Sequence, residues 1–439
     1  MHPGSFQRAE VPHAGLVPSP SACPAPRGKG MPPILSAAIR GCYPMTFPLI
    51  LLMTLSFLVS VDVRILAPIL PSISASLSSS PGSIGLAMTT YSFAYGLGQL
   101  VYGPLSDRLS RIAVVRAAGV AFALFTVLSA LSVTTWQFIG VRLLAGSFAG
   151  AVIPLTLVYI GDTFEYERRQ VVLGRLSALT SAAMAFSAAI GGAVAHFVSW
   201  RWMLVGYGLL AMVPVGLMWR IQVEKKEKPA ASAESYGMFL RDRRALFVYA
   251  GVLLEGFLMW GAITYLGSFG ERRYGLDQFT VGLLLAFFGV GTVTGGLLIG
   301  RIRRFLSENL LAGLGGLFMG SSFLVLIPGG RPILFACGML TLGLGFVGLH
   351  TTLQLRGTEI SETARGKAFS LFTFSLFSGV SLGSAAFGRL VDGGHYGAMF
   401  TIAGIGLIAI GLATAFAPRC RTGRWGWDEA RMRDFCPLE

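Results

Sequence analysis

Asp62, Arg142 and Glu255 are charged residues inside stretches otherwise too apolar to hold a charge. An ionisable group in such a run must be paired, neutralised or used, so each is a candidate for carrying a proton or a charged ligand. Asp62 and Arg64 stand two positions apart, on nearly opposite helix faces, and cannot pair with each other. Depth follows from the rise per residue: Asp62 is eight residues from the end of its apolar run near Leu70, or about 12 Å. Arg142 is six residues into its own run, or about 9 Å. The depths match, so an Asp62–Arg142 pair is geometrically possible. If opening of a cavity separated the two, the carboxylate would lose its counter-charge and take up a proton; a static bridge is the alternative. Glu255 lies about ten residues into a later run, roughly 15 Å deep. Phe257, Met259, Trp260 and Tyr265 follow it, a set that suits a cavity wall. Glu255 is expected to bind a cationic substrate or carry a second proton, with an interhelix hydrogen bond as the plain alternative. His350, Thr351 and Gln354 line another run, and histidine titrates near neutral pH. Thr89, Tyr91, Tyr95 and Gln99 are further polar groups for a cavity, or glue between helices.

A second constellation sits where apolar runs end. Gly103 to Arg111 reads GPLSDRLSR and carries Asp107, Arg108 and Arg111. An echo, GRIRRFLS, runs from Gly300 to Ser307, 197 positions on. Gly103 maps onto Gly300 and Ser110 onto Ser307, but Asp107 maps onto Arg304. GDTFEYERR at 161–169, with Asp162 and Arg169, aligns with TEISETARG at 358–366 at the same offset.

These residues need elements to hold them. The chain has 439 residues, of which 53% are hydrophobic and only 13% charged, with a mean hydropathy of +0.66. Soluble domains carry roughly 25% charged residues, and a bilayer-spanning helix needs about 20 apolar ones. The reading is an all-α integral membrane protein, because lipid offers no partner to unpaired backbone groups. Twelve spans are expected, near 46–70, 82–103, 112–132, 136–160, 173–197, 201–220, 246–268, 279–300, 309–328, 332–355, 368–390 and 397–417. Of 35 Lys and Arg, 28 fall on the side of the two chain ends and four on the other. That asymmetry puts both termini in the cytoplasm, and it explains the net charge of +14 without nucleic acid. The expected organisation is a disordered tail over 1–45, a six-helix bundle over 46–220, a linker over 221–245, a second bundle over 246–417 and a cytoplasmic tail over 418–439. The five cysteines have neither metal-ligand spacing nor a paired pattern. No cleavable leader is expected, since the first apolar run is long enough to span.

The chain resembles the major facilitator superfamily, and within it the twelve-span drug and metabolite proton antiporters. Gly103, Leu105, Asp107, Arg108 and Arg111 match the signature between spans 2 and 3. Arg142 and Gly146 match that of span 4, and Asp162, Phe164, Glu167 and Arg169 the one after it. Trp200, Arg201 and Trp202 match the start of span 6. The resemblance covers about 46–417 and implies two six-helix bundles around a midplane site. It also implies a conformational latch of Gly103, Asp107, Arg108, Arg111, Asp162 and Arg169, in which Asp107 faces the start of span 11 near Gly366 and Arg111 reaches Asp162. There is one departure: Ser187 and Ala188 precede Ile190-Gly191-Gly192, where antiporters often have Gly-Pro. The kink is missing, which weakens the case for export.

The expected function is proton-coupled export of a small organic compound by alternating access, in a bacterial inner membrane. Asp62, Arg142 and Glu255 would couple the proton; Tyr91, Tyr95, Trp260, Tyr265, His350 and Gln354 would line the substrate cavity. Uptake by symport, or a scaffold that transports nothing, is the alternative. The partners are substrate, protons and lipid, with a monomer expected. No nucleotide-binding loop, metal set or nucleophile constellation stands out, so neither an enzyme nor a cofactor is expected.

Overall fold

Every predicted apolar stretch is occupied by a helix in the structure, a computed structural model that describes residues 47–164, 166–221, 236–328, 331–361 and 364–417. The helices are α1 (Phe47–Ser76), α2 (Pro81–Arg108), α3 (Arg111–Ala130), α4 (Thr135–Thr163), α5 (Tyr166–Phe197) and α6 (Trp200–Leu217). After the linker come α7 (Arg243–Tyr274), α8 (Gln278–Ile302), α9 (Glu308–Leu324), α10 (Pro332–Glu359), α11 (Arg365–Asp392) and α12 (Tyr396–Phe416). Among the described residues there is no strand. Eight helices are long and apolar enough to cross a membrane, and a bent pair within α1 makes a ninth candidate. Exposed Leu209, Leu297 and Phe416 give these helices outward apolar faces, as lipid contact requires. The N-terminal tail, most of the linker and the C-terminal tail, with four of the cysteines, lie outside the described residues.

The helix boundaries follow local chemistry. Ser80 caps α2 by accepting from the Ser83 amide, with Pro81 in the first turn. Thr134 and Gln137 form a capping box at α4. Asp277 caps α8, and Ser307 caps α9. The internal repeat is visible in these starts: Pro81, Arg111 and Thr135 recur as Gln278, Glu308 and Pro332, each 197 positions on. Ser110 and Ser307, paired in the sequence echo, both stand at N-cap positions.

Two helices are irregular. α4 pauses at Gly150 and Ala151, where Gly150 lies against the Tyr95 carbonyl and Gly98. α7 changes to a π-helical turn over Gly256–Trp260, directly after Glu255, and breaks again before Leu266. Glycines set the closest crossings: Gly291 and Gly343 join α8 to α10, and Gly316 and Gly411 join α9 to α12. A side chain at any of these would fall on backbone of the partner helix, so small residues let the helices pack without a hydrophobic driving force.

Candidate functional site

Asp62 on α1 and Arg142 on α4 meet in the interior. Arg142 Nη1 donates to Asp62 Oδ1 at 3.2 Å and Nη2 to Oδ2 at 2.9 Å. Both side chains are 0% exposed. The guanidinium lies 4.4 Å over the Tyr91 ring of α2, and Gly146 of α4 abuts the Tyr91 backbone. Ser56 donates to Thr156 at 3.1 Å, a second tie between α1 and α4. The arrangement is bidentate and stacked, a geometry that Arg supplies and Lys does not.

Glu255 on α7 meets His350 on α10. His350 Nδ1 is 3.0 Å from Glu255 Oε2. Glu255 is 0% exposed and His350 13%. The other carboxylate oxygen, Oε1, is buried with no hydrogen-bond partner. His350 stacks on Phe346 at 4.5 Å, and Phe346 in turn meets Trp260 at 5.7 Å. The sequence did not join these two residues, which are 95 positions apart on runs whose packing no spacing rule predicts.

Between the first six and last six helices lies a narrow cavity with about 50 Å³ of space for a water-sized sphere. Its walls include Val63, Ser92 and Ser187 from the first six helices, and Trp260, Thr264 and Phe377 from the last six. Of the six residues expected to line a substrate cavity, Trp260 stands in the wall of this one. Tyr91 lies under Arg142, and Tyr95 packs on Phe377 at 4.3 Å. Tyr265 turns away after the break in α7, and its hydroxyl donates to the Ser384 carbonyl at 2.6 Å. His350 is occupied by Glu255, and Gln354 lines a separate pocket of about 420 Å³ beside Arg303 and Glu308. Midplane depth alone does not say which helix face a side chain takes.

One end of the cavity is sealed by contacts across the two halves of the sequence. Asp392, at the end of α11, accepts from Ser80 Oγ and from the Gly82 amide, each at 2.8 Å, at the start of α2. Gly267 of α7 abuts the Ala67 carbonyl of α1, and Gly192 of α5 abuts Gln278 of α8. Gln278 also donates to Ser72. On the exposed side of this seal, His196 lies 3.9 Å from Asp277. Hydrogen bonds from the Thr280 amide and hydroxyl hold the Asp277 carboxyl below the usual carboxylate range.

At the other end, Arg111 pairs with Asp162 and donates to the Val158 carbonyl at 3.1 Å. Arg169 donates to the Gly161 and Phe164 carbonyls. Gly103, Asp107 and Arg108 stand on α2, but their side chains lie outside the described ones, as do those of Arg64 and Glu167. At Gly366, where the resemblance puts the partner of Asp107, none of the described residues lies within 4 Å of where a side chain would begin.

The Major Facilitator Superfamily profile matches residues 52–384. The chain is 25% identical to the uncharacterized MFS-type transporter YwfA of Bacillus subtilis (strain 168), over 80% of this chain and 88% of that one. It is 26% identical to a chloramphenicol resistance protein of Pseudomonas aeruginosa, over 65% and 69% of the two chains. Its fold superposes on the crystal structure of a mutant of the nucleoside transporter NupG with a TM-score of 0.71, at 14% identity, over 84% of this chain and 100% of that one. With its interior ion pairs, its cavity between sequence halves and this match over most of its length, the chain belongs to the Major Facilitator Superfamily, a family of membrane transporters.

Proposed function

We propose that the protein is a proton-coupled secondary transporter that exports a small organic compound across a bacterial inner membrane by alternating access. The observation that carries this reading is the narrow cavity walled by both halves of the repeat, in a chain that also buries two acids. A proton-driven cycle needs an acid shielded from bulk water, and the chain offers two, Asp62 and Glu255. The two six-helix halves would rock about the cavity. Similarity to the chloramphenicol resistance protein supports export of a small organic cargo.

The charge census supports cytoplasmic termini, which makes the sealed end the outer one. In an inward-facing stage Arg111–Asp162 would be the resident part of the latch, and Asp107 would engage the start of α11 only when the inner side closes. A carboxylate at a helix N-terminus gains roughly 0.3–1 kcal/mol, and up to about 2 when partly buried. Asp107→Asn is therefore expected to lower transport while leaving the amount of protein in the membrane unchanged. Uptake by symport is the second reading, favoured by Ser187 and Ala188, which stand at the cavity wall where exporters often have Gly-Pro.

The test is reconstitution into liposomes with an imposed pH gradient and a panel of labelled drugs and metabolites. Export coupling predicts accumulation on the acidic side, driven by the gradient and abolished by a protonophore. Uptake coupling predicts the reverse direction, and gradient-independent equilibration would remove the proton from the mechanism.

A further inference from the structure

The two buried pairs differ in whether they can hold an exchangeable proton at all. We propose that the coupling proton resides on Glu255 and His350 together, and that Asp62 stays ionised throughout the cycle as half of a fixed pair with Arg142. This rests on the proton-coupled reading above and says which residues do the coupling.

Consider the donors and charges first. Both Asp62 oxygens accept from a guanidinium, and a guanidinium does not give up its proton. That pair is neutral and both carboxylate oxygens are satisfied, although Arg142 Nε is buried without a hydrogen-bond partner; one added proton would break it and leave a bare cation fully buried. Glu255 faces a partner that itself gains and loses protons. With two protons shared among Glu255 Oε2 and the two His350 ring nitrogens the pair is neutral, whether it is written as acid and imidazole or carboxylate and imidazolium. With only one of those protons it carries one negative charge. The pair therefore alternates between two states that differ by one proton, as coupling requires. The buried, unpartnered Oε1 marks this carboxylate as the incompletely satisfied one of the two.

Access gives the same answer. Asp62, Arg142 and Glu255 are fully buried, and among the four only His350 has exposed area. A proton from water would enter at His350 Nε2 while the proton on Nδ1 moves to Glu255 Oε2, so none is created or lost. Among the described residues, no other charge competes at the pair. On α7, Tyr249 donates to the Ala368 carbonyl. On α10, Arg356 is engaged with Glu308 and Asn309 of α9 and with the Thr414 carbonyl of α12. On α11, Lys367 lies over the Tyr236 ring. α8 has its charges at the ends, at Asp277 and from Arg301 on.

The cavity is linked to the pair by contact. Trp260 lines the cavity, packs on Phe346, and Phe346 stacks on His350. Trp260 is also the last residue of the π-turn that begins after Glu255. Such turns recur at functional sites because the backbone can re-register there. Cargo against Trp260 would thus bear on both members of the pair.

The experiment needs no known cargo. The full chain is reconstituted in lipid and its carboxyl C=O absorption is followed by infrared difference spectroscopy as pH is stepped. The expected result is one protonated-carboxyl band that titrates in the wild type, is missing in Glu255→Gln, and survives in the double variant Asp62→Asn/Arg142→Gln. In His350→Gln its midpoint should move by about one pH unit or more, as loss of a charged neighbour does. A merely structural His350 would leave the midpoint in place. A band that persists in Glu255→Gln and disappears in the double variant overturns the assignment. A wild type in which neither a carboxyl band nor an imidazole ring band titrates overturns the proton-coupled reading itself. Glu255→Asp, which keeps the acid, guards against a folding defect: a folded variant whose band is shifted but present supports the pair.

Discussion

Among the described residues, the halves of this chain each bury one pair of ionisable side chains, but at positions that do not correspond. The residues 197 positions beyond Asp62 and Arg142 are Met259 and Met339, both fully buried. Those 197 positions before Glu255 and His350 are Leu58 and Ile153. Helix starts correspond at this offset, while the ionisable residues of the two pairs do not. The first is symmetric in its bonding, with two donors on two acceptors and a cation that cannot be neutralised. The second has one contact, one unsatisfied oxygen and an imidazole, rather than a guanidinium, as partner. Burial is therefore a poor guide to which acid moves a proton; the chemistry of the partner is a better one.

The largest effect expected from this contrast is on stability. Arg142→Ala strands a fully buried carboxylate and should cost about 3–5 kcal/mol, read as a lost or much lowered thermal transition in detergent. His350→Gln keeps a hydrogen-bonding group beside Glu255 and should cost only about 1 kcal/mol. Equal losses would erase the distinction between the pairs. Next comes coupling. Glu255→Gln should lower proton-driven flux by roughly a hundredfold, the lower range of what a positioned proton-transfer group contributes. Asp62→Asn/Arg142→Gln, judged on correctly folded protein, should retain a flux that still responds to the gradient. The smallest effect belongs to an exposed pair that serves as a baseline, His196 and Asp277. His196→Gln should change stability by under about 0.5 kcal/mol. Asp277→Ala should cost about 0.5–1 kcal/mol through the lost cap of α8. Because the Asp277 carboxyl is held low by the Thr280 hydrogen bonds, the stability it lends is present above the unfolded value near 3.9. That stability is lost as pH falls through the lower folded value, so acid unfolding should flatten in Asp277→Ala.

The helices were legible because about 20 apolar residues in a row have few other uses, and capping residues mark where the runs begin. Their ends were less so: α1 runs on to Ser76 and α2 to Arg108, through polar turns that hydropathy does not register. The Asp62–Arg142 contact was readable because rise per residue turns sequence position into depth, and two equal depths on neighbouring spans suffice. Glu255–His350 was not, since it depends on α7 lying beside α10 and on a π-turn that leaves no mark in composition. Tyr91 lies under Arg142, Tyr265 bonds the Ser384 carbonyl and Gln354 lines a different pocket, placements that depth does not predict and packing decides.

Asp392 reaches from α11 to the first turn of α2, so the far half of the chain supplies part of that helix's cap. Parting the halves there removes the acceptor of the Gly82 amide, while Ser80 keeps its own cap on Ser83. That amide must then find water, which ties the contact between the halves to a bond usually counted among local secondary-structure preferences. A cap is typically worth about 1 kcal/mol, and that much biases a two-state contact roughly fivefold. A single surface carboxylate can thus tune how long the two halves stay together at this end.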